Sequence, residues 1–284
     1  MKYIKLIMEL GKVKITFAVA LTTIAGYVLA NGGLDFGLVL PTLGIFLLAC
    51  GSSAINHYQE RDKDALMDRT KNRPIPSGRI SANGALIVAL LFSVSGAYLI
   101  YLGSGFLAMQ LGVLALIWYN AIYTPLKRKT AFAVVPGSVI GAIPPMVGWV
   151  AGGGSLVNPE IWILAFFFFI WQVPHFWLLL LKYGREYEQA GLPSLTKIYT
   201  EKQIKNITFI WTFSTAIASL MIATFGIIGS TITRVLLLIS AAWLIYTFAG
   251  LLKPTKEFKP FRYFMKINYF VLMIIILLTV DVYL

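Results

Sequence analysis

Asn56-His57-Tyr58-Gln59-Glu60-Arg61-Asp62-Lys63-Asp64 is a polar, acid-rich run that separates two long apolar segments of the chain. Asn56, Glu60 and Asp64 stand at positions i, i+4 and i+8 of this run, so on a helix their side chains share one face. Clustered side-chain oxygens suit hard cations such as Mg²⁺, which commonly bridge a protein to substrate phosphates. The spacing therefore predicts a Mg²⁺-dependent site on a helix at the edge of an apolar bundle.

The composition places the chain among membrane proteins. Of its 284 residues 58% are hydrophobic and only 13% are charged, which excludes an ordinary soluble domain. Apolar stretches of about 17–25 residues cross a bilayer as helices, and only helical bundles or closed barrels satisfy the backbone there. We predict an all-α membrane protein with one domain, 1–284, whose nine transmembrane helices form one bundle at 14–31, 36–57, 84–102, 106–124, 131–152, 161–182, 206–229, 231–252 and 264–282.

The basic residues predict the orientation of these spans. All of the 24 Lys and Arg except Arg234 fall in segments that would lie on the same side as the N-terminus. Under the positive-inside rule the N-terminus and the long loops are cytoplasmic and the C-terminus is outside, as in a bacterial-type inner (cytoplasmic) membrane. The net charge of +12 is spread over five loops, so it does not indicate nucleic-acid binding.

Two basic clusters could neutralise a diphosphate near the acidic face. Arg69, Lys71 and Arg73 follow the acidic run directly, and guanidinium and ammonium groups are the usual partners of phosphate. The other cluster lies in Tyr123-Thr124-Pro125-Leu126-Lys127-Arg128-Lys129. The alternatives are a solvated loop for the first cluster and a positive-inside anchor for the second.

Two motifs accompany the sixth predicted span. Trp171-Gln172-Val173-Pro174-His175-Phe176-Trp177 puts a Gln and a His one helical turn apart inside the membrane, where idle polar groups are costly. The alternative is a hydrogen-bonded core histidine. Arg185-Glu186-Tyr187-Glu188 follows the span and is either a second acidic site or a solvated loop.

The fifth predicted span is rich in Gly and Pro. Gly137 and Gly141 have the spacing of small residues that let transmembrane helices approach closely. The same lack of side chains could make room for a bulky ligand.

Together these motifs resemble the UbiA-type intramembrane prenyltransferases, and within them the branch that modifies haem. The family pattern Asn-x-x-x-Asp-x-x-x-Asp on the second helix is similar to Asn56, Glu60 and Asp64, with Glu in the middle. Branch patterns are matched over nearly the whole chain, at Met67-x-Arg69-Thr70-x-x-Arg73-Pro74, Tyr123-Thr124-x-Leu126-Lys127-Arg128 and Trp171-Gln172-x-Pro174-His175-Phe176. The second acidic motif departs from the family, because Glu186 stands where the branch has Asp.

The resemblance implies transfer of a farnesyl group from farnesyl diphosphate to a vinyl group of protoheme IX. Asn56, Glu60 and Asp64 would be the catalytic set and, with Glu186, would hold Mg²⁺. The implied partners are farnesyl diphosphate, protoheme IX, membrane lipid and a downstream haem-modifying enzyme or oxidase assembly factor. The implied substrate-binding residues are Arg69, Lys71, Arg73, Tyr123, Lys127 and Arg128 for the diphosphate, and Trp171, Gln172 and His175 for haem.

Two other functions remain open from the sequence. A prenyltransferase for a quinone precursor or chlorophyllide would share the first motif but gives no reason for the Trp171–Phe176 run. A transporter should place ionisable residues near the bilayer midplane among broken helices, whereas the acids here cluster at one face.

Overall fold

The computed structural model describes residues 2–253 and 258–284, and this part of the chain is helical with no strand. The helices run in the order α1 (Lys2–Leu10), α2 (Val13–Asn31), α3 (Val39–Asp64), α4 (Ala82–Ile117), α5 (Thr124–Leu126), α6 (Val134–Gly137), α7 (Val139–Ala151), α8 (Pro159–Lys182), α9 (Gly184–Gln189), α10 (Glu201–Thr224), α11 (Thr231–Ala249) and α12 (Pro260–Asp281). A π-helix, Trp118–Tyr123, joins α4 to α5. The predicted all-α class is confirmed.

Eight of the described helical segments are long and apolar enough to cross a membrane. One of them, Ala82–Leu126, has 45 residues and includes both the third and the fourth predicted spans. Its backbone is non-helical at Gly105, where φ is 78° and ψ is −173°. A Cβ at Gly112 would lie 2.9 Å from the Cδ1 atom of Ile100. In a straight helix twelve residues would separate the two positions by about 18 Å, so the chain folds back at Gly105.

Polar caps and glycines end the helices where the sequence leaves the apolar segments. The side chain of Ser81 accepts from the backbone N–H of Gly84 at the start of α4. Thr200 and Gln203 form a reciprocal capping box at the start of α10. Gly32 closes α2 in the left-handed conformation, with φ of 75°, that glycine adopts without steric cost. These devices satisfy the backbone N–H groups of the first turn and the carbonyl groups of the last turn that a helix leaves unpaired.

Helix α8 lies at the centre of the larger hydrophobic core. This core joins buried side chains of α7, α8, α10, α11 and α12. Phe167 and Phe168 of α8 are fully buried, and the ring of Phe270 in α12 lies 6.4 Å from that of Phe167, centroid to centroid. Lipid is as apolar as these side chains, so close packing rather than exclusion of water holds the helices together.

Small residues set the closest helix contacts. A Cβ on Gly148 of α7 would collide with the carbonyl oxygen of Thr23 in α2, and a Cβ on Gly26 would collide with the carbonyl oxygen of Pro145. Helices α2 and α7 therefore pack backbone against backbone, as small residues allow in membrane bundles. The candidate site lies between α2, α3, α4, α7 and α8.

Candidate functional site

A cavity of about 290 Å³ opens at the end of α3 that carries the acidic face and extends into the bundle. Polar and charged side chains line one end: Lys12, Asn56, Glu60, Asp64, Arg69, Arg73, Tyr119, Tyr123, Lys127 and Tyr187. Mostly apolar side chains line the rest, among them Val19, Ile45, Leu48, Leu116, Ile140 and Phe176. A ligand held here would have a charged end and a hydrocarbon end.

Asn56, Glu60 and Asp64 share one face of α3, as their spacing predicts. The helix continues to Asp64, so the acidic run remains helical beyond the apolar segment. All three side chains are buried and all three line the cavity. The structure therefore brings two carboxylates and an amide to one wall of the site.

Asp64 is paired with Arg73. The Nη1 atom of Arg73 donates to both carboxylate oxygens of Asp64, at 2.8 and 2.7 Å. The intervening turn holds Arg73 in place, because the Thr70 hydroxyl donates to the carbonyl oxygen of Asp64 at 2.9 Å. Asp64 is 1% exposed, so this ion pair is shielded from water.

Glu60 is paired with Lys127 from the segment that follows α5. Burial disfavours the charged ammonium, but the carboxylate of Glu60, with the neighbouring Tyr187 and Tyr123, raises the pKa of Lys127 above its usual range. Lys127 therefore stays charged at physiological pH. Its Nζ atom also lies 5.7 Å from the ring centroid of Tyr187, another residue of the cavity wall.

Lys12 is the third cation of the site. In the sequence it is only one of the basic residues that predict the orientation of the spans in the membrane. Its Nζ atom donates to the Oδ1 atom of Asn56 at 3.2 Å. It has φ of 48° and is the non-glycine residue with positive φ in the described chain, between α1 and α2. Burial, and next the nearby Arg73 guanidinium, lower the pKa of Lys12 to about 7.

The donor set fits a hard divalent cation that arrives with an anionic substrate. Two carboxylates and one amide oxygen are the ligand types that Mg²⁺ takes, and Mg²⁺ usually keeps water or phosphate oxygens as its remaining ligands. The described residues contain no cluster of three or more His, Cys, Asp or Glu that could hold a metal by themselves. Lys12, Arg73 and Lys127 outnumber the two carboxylates, which favours an anion in the cavity.

The other predicted diphosphate residues separate into two groups. Arg69 and Tyr123 line the cavity. Lys71 and Arg128 are not part of its lining. Lys71 pairs with exposed Asp68 at 2.6 Å, and Arg128 donates to the backbone carbonyl of Gln59. Because the sequence gives spacing but not side-chain direction in irregular turns, it could not separate these two groups.

Glu186 lies in α9 and is not among the residues that line the cavity. Its Oε2 atom accepts from the backbone N–H of Arg69 at 3.0 Å. A second bond joins the end of α3 to the residue after α9, because Lys63 donates to the carbonyl oxygen of Ala190 at 2.7 Å. Glu186 thus ties the segment after α8 to the turn that carries Arg69. Glu188 instead accepts from the Thr196 hydroxyl, at 2.5 Å.

The Trp171–Phe176 run is divided between the cavity and the neighbouring helix α12. Gln172 and Phe176 line the cavity, and a Cβ on Gly141 would collide with the Gln172 amide. His175 faces α12 instead, where its Nδ1 atom lies 2.8 Å from the Oδ1 atom of Asn268. The ring of Trp171 lies 4.8 Å from that of His175, centroid to centroid.

Sequence reasoning missed several residues of the site. Besides Lys12, the structure adds Tyr119 and Tyr187 to the cavity wall and Asn268 beside His175. Tyr119 and Tyr123 both line the cavity and stand four residues apart on the π-helix, a wider turn that often occurs at functional sites. Asn268 could have been found from the sequence, because an amide inside an apolar span is costly unless it has a hydrogen-bond partner.

Comparisons with known proteins agree with this geometry. Residues 19–270 match the UbiA prenyltransferase family. The chain is 35% identical over 273 residues to the protoheme IX farnesyltransferase of Oleidesulfovibrio alaskensis, covering 96% of this chain and 95% of that one. Among solved structures, one concerned with digeranylgeranylglyceryl phosphate synthase aligns with a TM-score of 0.77 at 20% identity, over 99% of both chains.

A UbiA homologue from Archaeoglobus fulgidus, solved with GPP and Mg²⁺ bound, aligns with a TM-score of 0.70 at 14% identity, over 98% of this chain and 100% of that one. These two structural likenesses show that the fold is shared. The family match covers most of the chain, and the O. alaskensis relative extends over nearly all of it. The chain therefore belongs to the UbiA prenyltransferase family and is an integral membrane prenyltransferase.

Proposed function

We propose that the protein transfers the farnesyl group of farnesyl diphosphate to a vinyl group of protoheme IX. The observation that carries this proposal is the single cavity that joins the Asn56–Asp64 face to an apolar interior bordered by Gln172 and Phe176. The choice of acceptor is supported by the Trp171–Phe176 run and by the name of the O. alaskensis relative. Trp171, Gln172 and His175 would contact the haem.

The charged end of the cavity would bind and activate the diphosphate. Lys12, Arg73 and Lys127 would contact its oxygens, while Asn56, Glu60 and Asp64 would hold Mg²⁺. The bound ion would supply charge stabilisation for the departing diphosphate. Together these groups lower the energy of the charge that develops as the allylic C–O bond breaks.

The apolar walls would keep water from the farnesyl cation until a vinyl carbon of haem attacks it. The new C–C bond leaves a cation on the second vinyl carbon. One water adds there and loses a proton, which gives a hydroxyethylfarnesyl side chain and balances the reaction. No protein nucleophile is required in this sequence.

The same proposal includes a topology of nine crossings. At about 1.5 Å per residue, the 45 residues of Ala82–Leu126 are far longer than a hydrocarbon core of about 30 Å. The fold-back at Gly105 supports two crossings in this segment. The bias of the basic residues then supports a cytoplasmic N-terminus and a diphosphate site that faces the cytoplasm of a bacterial-type inner membrane.

The test is product formation by the purified protein in detergent, from farnesyl diphosphate with haem b or with a hydroxybenzoate quinone precursor, detected by mass spectrometry. We expect the haem product alone, and its loss with EDTA or with Asp64→Asn, which removes a charge at constant size. Asp68→Asn is the matched control, because the Asp68 side chain is 83% exposed. Prenylation of the quinone precursor alone would reject the acceptor, and full turnover in EDTA would reject the metal.

A further inference from the structure

His175 and Asn268 form a polar pair across the contact between α8 and α12. The Nδ1 atom of His175 lies 2.8 Å from the Oδ1 atom of Asn268. The Nδ2 atom of Asn268 donates to the backbone carbonyl oxygen of Phe264 at 2.6 Å, one turn earlier in α12. The Asn268 amide is thus held at both ends.

This arrangement determines which way the Asn268 amide points. A carbonyl oxygen only accepts hydrogen bonds, so the NH₂ group of the amide must face the oxygen of Phe264. The reversed amide would bring two acceptor oxygens within 2.6 Å of each other. The Oδ1 atom of Asn268 therefore faces His175, and because that oxygen also only accepts, the Nδ1 atom of His175 must carry a proton.

The surroundings of His175 favour a neutral ring. Its ring neighbours are Trp171, Phe176 and Phe264, with centroids 4.8, 5.4 and 4.9 Å away. Among the described residues no carboxylate forms a hydrogen bond or an ion pair with it. An imidazolium without a counter-charge is expensive in such a setting. A neutral ring with its proton on Nδ1 has a free lone pair on Nε2.

The Nε2 atom of His175 is available to bind a ligand. It makes no hydrogen bond with the described residues. Both ring nitrogens of His57 are fully buried and have no hydrogen-bond partner in the described part of the chain. The Nε2 atom of His175 differs, because it is not fully buried. His175 is only partly buried, and it packs against Phe176, which lines the cavity. A flat ligand that extended from the cavity past Phe176 toward α12 could reach this nitrogen.

We propose that Asn268 is a positioning residue that fixes the Nδ1–H tautomer and the ring orientation of His175, so that Nε2 is presented to the iron of the acceptor. The acceptor part of this proposal rests on the proposed function, whereas the tautomer does not. Partners of this kind commonly orient metal-binding histidines, and their loss lowers metal affinity by about 10–100-fold.

The experiment is ¹⁵N NMR of the detergent-solubilised protein with ¹⁵N-labelled histidine, combined with a haem titration followed by absorption. The chain has two histidines, so the His175→Ala variant assigns the signals. We expect His175 to show a protonated Nδ1 and a bare Nε2. Asn268→Leu should mix the tautomers and weaken haem binding about 10–100-fold. Tyr269→Phe, at an exposed neighbour on α12, should change neither readout.

A protonated Nε2 in the native protein would overturn the proposal whatever the substrate is. An unchanged haem affinity in Asn268→Leu, despite a changed tautomer, would overturn the presentation of Nε2 to iron. A native protein that prenylates another acceptor and binds no haem would reject the proposed function. The tautomer signals of Asn268→Leu would then still decide whether Asn268 sets the ring of His175.

Discussion

The buried Arg73–Asp64 pair should make Arg73→Leu a strongly destabilising change in the absence of metal and substrate. Asp64 is 1% exposed and accepts two hydrogen bonds from Arg73, whose side chain is 18% exposed. Removing one partner of such a pair strands the other as an uncompensated buried charge, at a cost of about 3–5 kcal/mol. The Arg79–Glu9 pair is the internal control, because its side chains are 37% and 35% exposed. Arg79→Leu should cost about 0–1 kcal/mol.

The assay is equilibrium unfolding in mixed micelles titrated with SDS, with EDTA present and the circular dichroism of the helices as the signal. The double variant Arg73→Leu/Asp64→Asn should recover part of the loss, since it leaves no unpaired charge. Added Mg²⁺ should stabilise Arg73→Leu more than the native protein, because Asp64 then has no competing partner. The reasoning fails if Arg73→Leu is no more destabilising than Arg79→Leu, or if the double variant is less stable than Arg73→Leu alone.

Three further predictions concern single residues. Lys12 has a pKa of about 7 and is charged below that pH, so affinity for prenyl diphosphate should fall as the pH rises through 7. Lys12→Arg, which stays charged, should flatten this profile in binding titrations; an unchanged profile would contradict the role of Lys12. Gly141→Ala should displace the flexible end of Gln172 and weaken haem binding while farnesyl diphosphate binding is retained, and equal losses of both ligands would count against it. Glu186→Gln should lower turnover more than Glu188→Gln in the product assay, and similar activities would show that the Glu186 carboxylate beside Arg69 does not contribute to turnover.

The regular part of the site could be predicted because helical spacing converts sequence into direction. Asn56, Glu60 and Asp64 lie together for that reason, as does the all-helical bundle around them. In the irregular segments, spacing along the chain does not predict the direction of a side chain. Arg69 and Lys71 are two residues apart in a turn, yet only Arg69 reaches the cavity.

Long-range contacts were equally hidden from the sequence. Lys12 stands 44 positions before Asn56, and their contact depends on the left-handed turn between α1 and α2. His175 and Asn268 are 93 positions apart and meet only because α8 and α12 pack together. The predicted spans 84–102 and 106–124 already imply a break between them, and the structure adds its exact position, at Gly105, and the approach of Gly112 to Ile100.

The ion pairs at the charged end of the cavity affect which of the many phosphate compounds in a cell the protein can bind. If orthophosphate or a nucleotide paired with Arg73, the carboxylate of Asp64 would be left buried without a partner, and the same holds for Lys127 and Glu60. The free energy of leaving a buried charge unpaired opposes the binding of such anions. A ligand that arrives together with a divalent cation gives each released carboxylate a new partner. We therefore expect the pocket to reject common anions and to admit a metal-bound diphosphate whose hydrocarbon tail also fits the apolar end.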